Sequence, residues 1–199
     1  MLIRPYTVAD RAAVADICLR TADHGADATG VFEDDGLWAD VFALPYVTRH
    51  PDLAFVVEDP AGHVVGYVIG TDDTDAFEDW FATRWWPTVA ARHPLPETER
   101  TRQDGTLIYA YGRRAGAEPY AALGYPAHLH IDLLPEAQGQ GLGRRLIDTL
   151  LAELRRRGVR GLHLVASDRN AGALAFYDRL GLTRLASHEG VQAYGIALV

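Results

Sequence analysis

The sequence predicts an α/β domain built on a mixed central β-sheet of about six or seven strands flanked by helices. Its patterns follow the order strand, two helices, two strands, a helical insertion, then strand, helix, strand, helix and strand. The strand–helix–strand unit over 127–166 predicts a parallel pair with a right-handed crossover. The two apolar runs within 53–70 predict an antiparallel hairpin. The sheet therefore contains both kinds of pairing.

The first element is a short edge strand over 2–4, which Pro5 ends. Thr7 followed three residues later by Asp10 is a capping box, which predicts the start of a helix. The apolar face of that helix follows the helical period, and it consists of Ala12, Val14, Ile17, Cys18 and Leu19.

The next elements lead to the hairpin. Residues 21–36 are rich in Asp, Gly, Ala and Thr and predict a loop, and 37–44 predicts a short helix. Apolar runs at 53–58 and 63–70 are joined by Asp-Pro-Ala-Gly at 59–62. These four residues favour a turn, so the two runs are predicted to pair.

The helical insertion covers about 72–125 and precedes the fourth strand. Thr74 is predicted to cap a helix that runs to Arg92 and is interrupted by Pro87, and a second short helix is predicted over 101–111. The first of these helices carries five aromatic residues, which either anchor a core or line a binding pocket: Phe77, Trp80, Phe81, Trp85 and Trp86.

The C-terminal part alternates strands and helices. A strand over 127–134 ends at Pro135, and a helix over 142–157 ends at Gly158, where a C-cap belongs. The remaining patterns predict a strand, a helix and a closing strand at 162–166, 170–180 and 192–199.

Composition limits the class of protein. A chain of 199 residues with 48% hydrophobic residues fits a single domain over 1–199. The single cysteine, Cys18, excludes an internal disulfide and a cysteine-rich metal site, as expected in a reducing compartment. The first residues lack the pattern of a signal peptide, and no apolar run reaches membrane-spanning length. We therefore expect a cytoplasmic protein without a membrane partner.

Charge limits the partners. The net charge is −8 and the chain contains no lysine, which argues against nucleic acid as a general partner because phosphate contacts need clustered basic residues. An acidic chain suits a cationic, amine-bearing substrate, although acidity also serves solubility alone.

The most informative segment is Gln-Gly-Gln-Gly-Leu-Gly-Arg-Arg at 138–145, between a predicted strand and a predicted helix. Gly139, Gly141 and Gly143 let backbone amides approach a ligand without obstruction by a Cβ atom. Those amides stand at a helix N-terminus, which favours phosphate. The segment therefore predicts a site for a diphosphate-bearing cofactor, unless the glycines serve only the tight turn.

A dinucleotide-binding loop of the Rossmann type is one interpretation of these glycines. That loop requires G-x-G-x-x-G after a strand and an acidic residue at the end of the next strand. Gly139 and Gly141 match, but Arg144 occupies the third glycine position and Asp168 comes late for the acidic role. The repeated βαβ units of such a fold are also missing, so the sequence disfavours this interpretation.

The arrangement Gln138-x-x-Gly141-x-Gly143, preceded by Leu133-x-Pro135, resembles the acyl-CoA pyrophosphate loop of the GNAT N-acetyltransferase superfamily. The run Asn170-x-x-Ala173-x-x-Phe176-Tyr177-x-x-Leu180-Gly181-Leu182 resembles that superfamily's second cofactor segment. The two motifs occur in the right order, with a helix and a strand between them. The resemblance implies the GNAT fold and acetyl-CoA as cofactor.

A narrower resemblance concerns the acetyltransferase-like domain at the C-terminus of eukaryotic O-GlcNAcase and its free-standing bacterial relatives. It is carried by Thr74-x-x-Phe77-x-x-Trp80, Trp85-Trp86-Pro87 and the run Tyr-Pro-Ala-His-Leu-His-Ile-Asp at 125–132. The animal domain is thought to have lost the pyrophosphate loop, which is intact here. The resemblance therefore implies a bacterial acetyltransferase without an attached glycosidase.

The superfamily resemblance also implies residue roles. The pantetheine arm would lie along the fourth strand beside the main chain of Ile131 and Leu133, with the Leu133 amide donating to the thioester oxygen. Asn170 would cap its helix and contact the cofactor, and Tyr177 would protonate the leaving thiolate, unless it is only a core aromatic. Backbone amides of the loop would hold the pyrophosphate, and these belong to Gln138, Gly139, Gln140, Gly141, Leu142, Gly143 and Arg144.

The strand over 127–134 carries the candidate side chains for a general base. His128, His130 and Asp132 alternate with apolar residues and share one face of that strand. Asp132 is closest in sequence to the Leu133 amide, so we favour it over His130, and a chain of waters is a third possibility. These three side chains could also bind a metal, but acetyl transfer in this superfamily requires none.

Two functional hypotheses follow. The first is an acetyl-CoA-dependent N-acetyltransferase, in which an amine of a small molecule or a protein attacks the thioester directly. The second is a non-catalytic acyl-CoA-binding module that keeps the GNAT fold. For either we expect a monomer or a homodimer.

Overall fold

A computed structural model describes residues 1–112 and 120–198. Within them the main feature is a seven-stranded sheet in the order β1-β2-β3-β4-β5-β7-β6. Only β4 and β5 pair in parallel, and the other neighbours are antiparallel, which confirms the predicted mixed sheet. The strands are β1 (Leu2–Pro5), β2 (Ala54–Glu58), β3 (Val64–Thr71), β4 (Ala127–Leu133), β5 (Gly161–Ser167), β6 (Thr183–Leu185) and β7 (Val191–Ala197).

Helices flank this sheet and also form the insertion before β4. Helix α1 packs against β3 and β4, and α7 packs against β2, β3 and β4. Two predicted stretches extend beyond the described residues, namely 113–119 of the insertion and Val199 of the closing strand. The helices are α1 (Arg11–Leu19), α2 (Gly36–Phe42), α3 (Leu44–Arg49), α4 (Thr74–Trp80), α5 (Trp86–Val89), α6 (Arg102–Tyr111), α7 (Leu142–Arg156) and α8 (Ala171–Leu180).

Helix α7 shows how the sequence pattern builds the core. Its apolar residues recur every three or four positions, so they form one stripe that is buried against the sheet. Gly158 follows with a φ of 74°, as a left-handed C-cap requires. The stripe consists of Leu142, Leu146, Ile147, Leu150, Leu151 and Leu154.

The N-terminal caps of two helices show where the sequence predicted the start of a helix correctly and where it did not. Asp10 accepts from the backbone amide and the hydroxyl of Thr7, at 2.8 and 2.9 Å, which confirms the capping box. The cap of α4 is Asp73 rather than the predicted Thr74, since the Asp73 carboxylate accepts from the amide of Ala76 at 3.0 Å. The Thr74 hydroxyl instead donates to the Pro126 carbonyl at 2.7 Å.

The helical stretch from Thr74 to Arg92 is continuous but irregular. A π-helical turn over Phe81–Trp85 separates α4 from α5, and Pro87 lies in the first turn of α5. A proline there disturbs little, because the amides of a first turn have no partner within the helix. The regular α-helix is therefore interrupted, as the sequence predicted, but in the turn immediately before Pro87 and without ending the helical stretch.

The insertion packs around its own aromatic residues. Phe81, Trp85 and Trp86 are buried in a cluster with residues of α2 and α6, and Phe77 is buried in the main core. The Trp85 indole donates to the Asp40 carbonyl at 2.7 Å. Phe81, Trp85 and Trp86 therefore anchor the insertion to α2, and Phe77 anchors it to the main core, as the first of the two interpretations stated. Trp80 is half-buried and packs against both clusters.

Two elements lack a clear signal in the sequence. Helix α3 follows α2 after a break at Ala43, where φ is −130°, although the sequence predicted one helix ending at Leu44. Strand β6 has three residues on the edge of the sheet and was not predicted. In the part of the chain that the structure describes, no helix has the length and apolar character needed to cross a membrane.

Candidate active site

The centre of the sheet opens between its two parallel strands. β4 and β5 pair only at Ala127 with Leu162 and at His128 with His163. Beyond these pairs β4 continues beside β3 as far as Leu133, while β5 continues beside β7. The two strands therefore diverge, and the edge of β4 that faces β5 borders a gap.

Backbone groups of β4 face this gap. The amide of Leu134 donates to the Val65 carbonyl at 2.9 Å, on the β3 side. Because backbone groups alternate between the two edges of a strand, the amides of Leu133 and Ile131 point away from β3. These are the two positions that the sequence assigned to the pantetheine arm.

A cavity of about 990 Å³ lies at the gap. Four parts of the chain form its wall: the end of β4, the glycine-rich loop, α8 and the segment that follows α1. From the predicted site the wall contains Ile131, Asp132, Leu133, Gln138, Gly139, Gly141, Leu142, Gly143, Arg144, Asn170 and Tyr177.

The glycine-rich loop has the backbone that its sequence predicted. Gly139 and Gly141 have φ values of 73° and 74°, a conformation that residues with a side chain rarely adopt. No atom lies within 4 Å of the place where a Cβ would stand at either residue. Gly141 is the N-cap of α7, a helix of 15 residues, so free amides and the helix dipole act at the same point. The loop therefore fits a diphosphate group.

The loop's side chains support this arrangement. The side-chain amide of Gln138 donates to the backbone carbonyl of Leu133 at 2.9 Å, which ties the loop to the end of β4. Arg144 lines the cavity and donates to the Arg179 carbonyl at 3.1 Å, which ties α7 to α8. Gln140 lies outside the cavity wall, and its side chain donates to the Glu136 carbonyl at 2.7 Å.

Helix α8 contributes the second predicted motif. The Asn170 side chain accepts from the amide of Ala173 at 3.0 Å and caps the helix, as predicted. Tyr177 is buried at the cavity wall, with its ring 5.3 Å from the rings of Phe176 and Tyr194. Burial, and then the negative charge of Asp132, raise the pKa of Tyr177 above its usual value. Its phenol therefore keeps its proton at neutral pH.

Asp132 reaches the cavity from β4. The hydroxyl of Tyr67, its register partner in β3, donates to the carboxylate at 2.5 Å. Burial raises the pKa of Asp132, and hydrogen bonds from Tyr67 and Thr21 oppose that rise. Sequence reasoning missed Tyr67, because nothing in the sequence gave the register in which β3 pairs with β4.

The two histidines of β4 belong to a different cluster, around Tyr46 of α3. The Tyr46 hydroxyl lies 2.6 Å from Nε2 of His128 and 3.1 Å from Nε2 of His130. Nδ1 of His128 lies 2.8 Å from the Thr74 hydroxyl. The structure therefore brings Asp132 and Tyr177 to one cavity and places His130 beside it, outside the wall. Within 1–112 and 120–198, no group of side chains is arranged to hold a metal ion.

The fold and this cavity define an acyltransferase. The chain belongs to the acetyltransferase (GNAT) family, whose model matches residues 21–182. The resemblance on which the sequence analysis relied is thereby confirmed.

Individual proteins show more specific similarity to this chain than the family model does. The chain is 25% identical to rat (Rattus norvegicus) protein O-GlcNAcase over 190 residues, which is 94% of this chain and 20% of that protein. It therefore spans about a fifth of the length of this curated relative. The crystal structure of SsHAT matches with a TM-score of 0.94 and 43% identity, over 100% of this chain and 98% of that one.

A further neighbour was solved with its cofactor. A putative acetyltransferase from Salmonella typhimurium, in complex with acetyl-CoA, matches with a TM-score of 0.59 over 100% of this chain and 94% of that one. Its identity of 21% limits the likeness to the fold.

Proposed function

We propose that this protein is an acetyl-CoA-dependent N-acetyltransferase that acts as one domain over 1–199 in the cytoplasm. One observation carries the proposal: the gap between β4 and β5 is bordered by the glycine-rich loop on one side and by Asp132 and Tyr177 on the others. A loop that suits phosphate, a strand edge whose amides point into the gap, and a candidate base and acid thus face one cavity.

The cofactor would be held mainly by backbone. The amides from Gly139 to Arg144 would receive the pyrophosphate, and a preformed loop loses little entropy on binding. Arg144 and Arg145 add positive charge beside it. Bound there, acetyl-CoA supplies an activated acetyl thioester at the strand edge.

The strand edge would activate the carbonyl. The amide of Leu133 points into the gap, where a donor stabilises negative charge that develops on an oxygen. Because this donor is fixed within β4, it needs no reorganisation during the reaction.

Asp132 would remove a proton from the attacking amine. Its raised pKa makes it a stronger base than an ordinary carboxylate, and the short hydrogen bond from Tyr67 holds it in place. His130 is the second candidate, acting through water because it lies outside the cavity wall.

Tyr177 would protonate the leaving thiolate. An ordinary phenol has a pKa of about 10 and a thiol about 8.5. The raised pKa of Tyr177 keeps the phenol protonated but makes it a weaker acid than the thiol, so the transfer requires a direct hydrogen bond that stabilises the phenolate as it forms. Its position on α8, in the wall of the cavity, suits that role.

The acceptor would be an amine, on a small molecule or an exposed protein amino group. To test the proposal, release of free CoA thiol is followed over a library of amines, and acetyl-CoA binding is measured by calorimetry. We expect binding and turnover with at least one class of amine.

The alternatives give different results. Binding of acetyl-CoA without turnover, unaffected by Tyr177→Phe, would indicate a non-catalytic module. Tight binding of NAD but not of acetyl-CoA would refute the proposed cofactor.

A further inference from the structure

One wall of the cavity belongs to none of the motifs that predicted the site. It is the segment over residues 21–26, which we call the cavity loop, and it contributes Thr21, His24, Gly25 and Ala26 to the wall. A Cβ placed on Gly25 would stand 3.0 Å from the side-chain nitrogen of Asn170. The cavity loop therefore reaches from the end of α1 to the cap of α8.

The backbone of the cavity loop is constrained. Asp23 and Ala26 exchange backbone hydrogen bonds of 3.0 and 2.9 Å. Between them His24 has a φ of 53°, the only positive value for a non-glycine residue in the described part of the chain. A side-chain-bearing residue rarely adopts this conformation unless its surroundings impose it.

The first turn of α6 supplies such surroundings from a distant part of the chain. Arg102 donates to the Asp23 carboxylate at 2.7 Å and to the Ala22 carbonyl at 2.5 Å. The same guanidinium lies over the rings of Trp38 and Phe32, 5.2 and 5.5 Å from their centroids. It is thus fixed in position by two hydrogen-bond acceptors and two aromatic faces.

Gln103, the residue after Arg102, holds the other end of the segment between α1 and α2. The side-chain oxygen of Gln103 accepts from the amides of Glu33 and Asp34, at 2.8 and 3.2 Å. The helical insertion therefore anchors both ends of this segment, and Arg102 anchors the end that reaches the cavity.

We propose that Arg102 is a positioning residue of the acetyl-CoA cavity, which fixes the cavity loop so that His24 and Gly25 face the bound ligand. Arginine suits the task because its planar fork serves two acceptors while its face stacks on aromatic rings. The identity of the ligand rests on the proposed function, whereas the attachment of the loop to α6 does not.

The test compares Arg102→Ala with the wild type. If the cavity loop of the variant keeps its wild-type arrangement in about a tenth of the molecules, the Kd for acetyl-CoA rises about tenfold. The KM rises similarly, while kcat stays within about twofold because saturating ligand restores the arrangement. Amide hydrogen exchange over 21–26 should become faster. Arg102→Lys should give an intermediate Kd, because an ammonium lacks the planar fork.

Arg156→Ala is the matched control. Arg156 makes a comparable two-point contact, at 2.9 and 2.7 Å, with Glu153 near the end of α7. The Arg156→Ala variant loses the same charge as Arg102→Ala, and it should change neither the Kd for acetyl-CoA nor the rate of amide hydrogen exchange over 21–26. If Arg102→Ala does not fold, Asp23→Asn removes the negative charge from one of the two contacts, at a partly exposed carboxylate, and should raise Kd and the rate of amide exchange over 21–26 in the same direction.

Two results would overturn the inference: exchange over 21–26 that is unchanged in Arg102→Ala, or faster exchange with Kd and KM within about twofold of the wild type. If the wild type itself fails to bind acetyl-CoA, the proposed function fails and the inference fails with it. If the wild type binds and the variant binds equally well, the inference alone fails.

Discussion

Gly141→Ala is the sharpest test of the glycine-rich loop. The substitution adds one methyl group at a φ of 74°, and no atom lies within 4 Å of its position, so the backbone conformation is the only cost. A left-handed conformation costs a residue with a Cβ about 1–2 kcal/mol. If the loop keeps this conformation in the free protein, the cost lowers the melting temperature of a chain of this length by about 2–8 °C.

The effect on binding follows from the same conformational cost of about 1–2 kcal/mol. If the loop relaxes to another conformation without ligand, acetyl-CoA must restore the costly one, and 1–2 kcal/mol corresponds to a Kd increase of about 5- to 30-fold. Gly141→Glu adds a negative charge against the pyrophosphate and should abolish measurable binding. Calorimetric titration with acetyl-CoA measures both variants.

Gly62→Ala provides the control. Gly62 lies in the β2–β3 turn with a φ of 89° and equally open surroundings. It should therefore lose similar stability, about 1–2 kcal/mol, with an unchanged Kd. Wild-type affinity in Gly141→Glu would contradict the assignment of the loop to the pyrophosphate.

Three further variants address chemistry and stability. Tyr177→Phe should lower kcat at least about 100-fold with the Kd for acetyl-CoA unchanged; a kcat near wild type would exclude the phenol as acid. Asp132→Asn should lower kcat by a similar factor of about 100. Because burial raises the pKa of Asp132, the folded wild type binds its proton more tightly than the unfolded chain, so its unfolding free energy falls as pH rises above about 4. The Asn variant should lack that fall in urea titrations. Arg4 lowers the pKa of Asp10 to about 2. Asp10→Asn should therefore cost about 1–2 kcal/mol at pH 7, a difference that vanishes as the pH falls towards 2; a constant difference would contradict the ion pair.

The sequence predicted best what local chemistry determines. Gly158 and Asn170 cap their helices as expected, because each acts within one turn of its own helix. The parallel pairing of β4 with β5 followed from the crossover rule, and the antiparallel pairing of β2 with β3 followed from the hairpin. In contrast, Thr74 looked like a cap but Asp73 is one, since both residue types satisfy the same rule and tertiary contact with Pro126 decides between them.

The site was predictable only as far as the motifs extended. The glycine-rich loop and Tyr177 line the cavity because the motif fixes both spacing and conformation. Nothing local in the sequence linked Tyr67 to Asp132, or Arg102 to Asp23. The members of each pair are separated by 65 and 79 positions along the chain, and only the completed fold brings them together.

The two residue pairs that join β4 to β5 make the sheet two half-sheets held by a short seam. One half contains β1 to β4, and the other contains β5 to β7. A pantetheine arm lying in the gap would act as the missing strand, hydrogen-bonded along the edge of the first half. Ligand occupancy would then fill the gap between the two halves, and the same molecule that brings the acetyl group would extend the hydrogen-bonded ladder of β4.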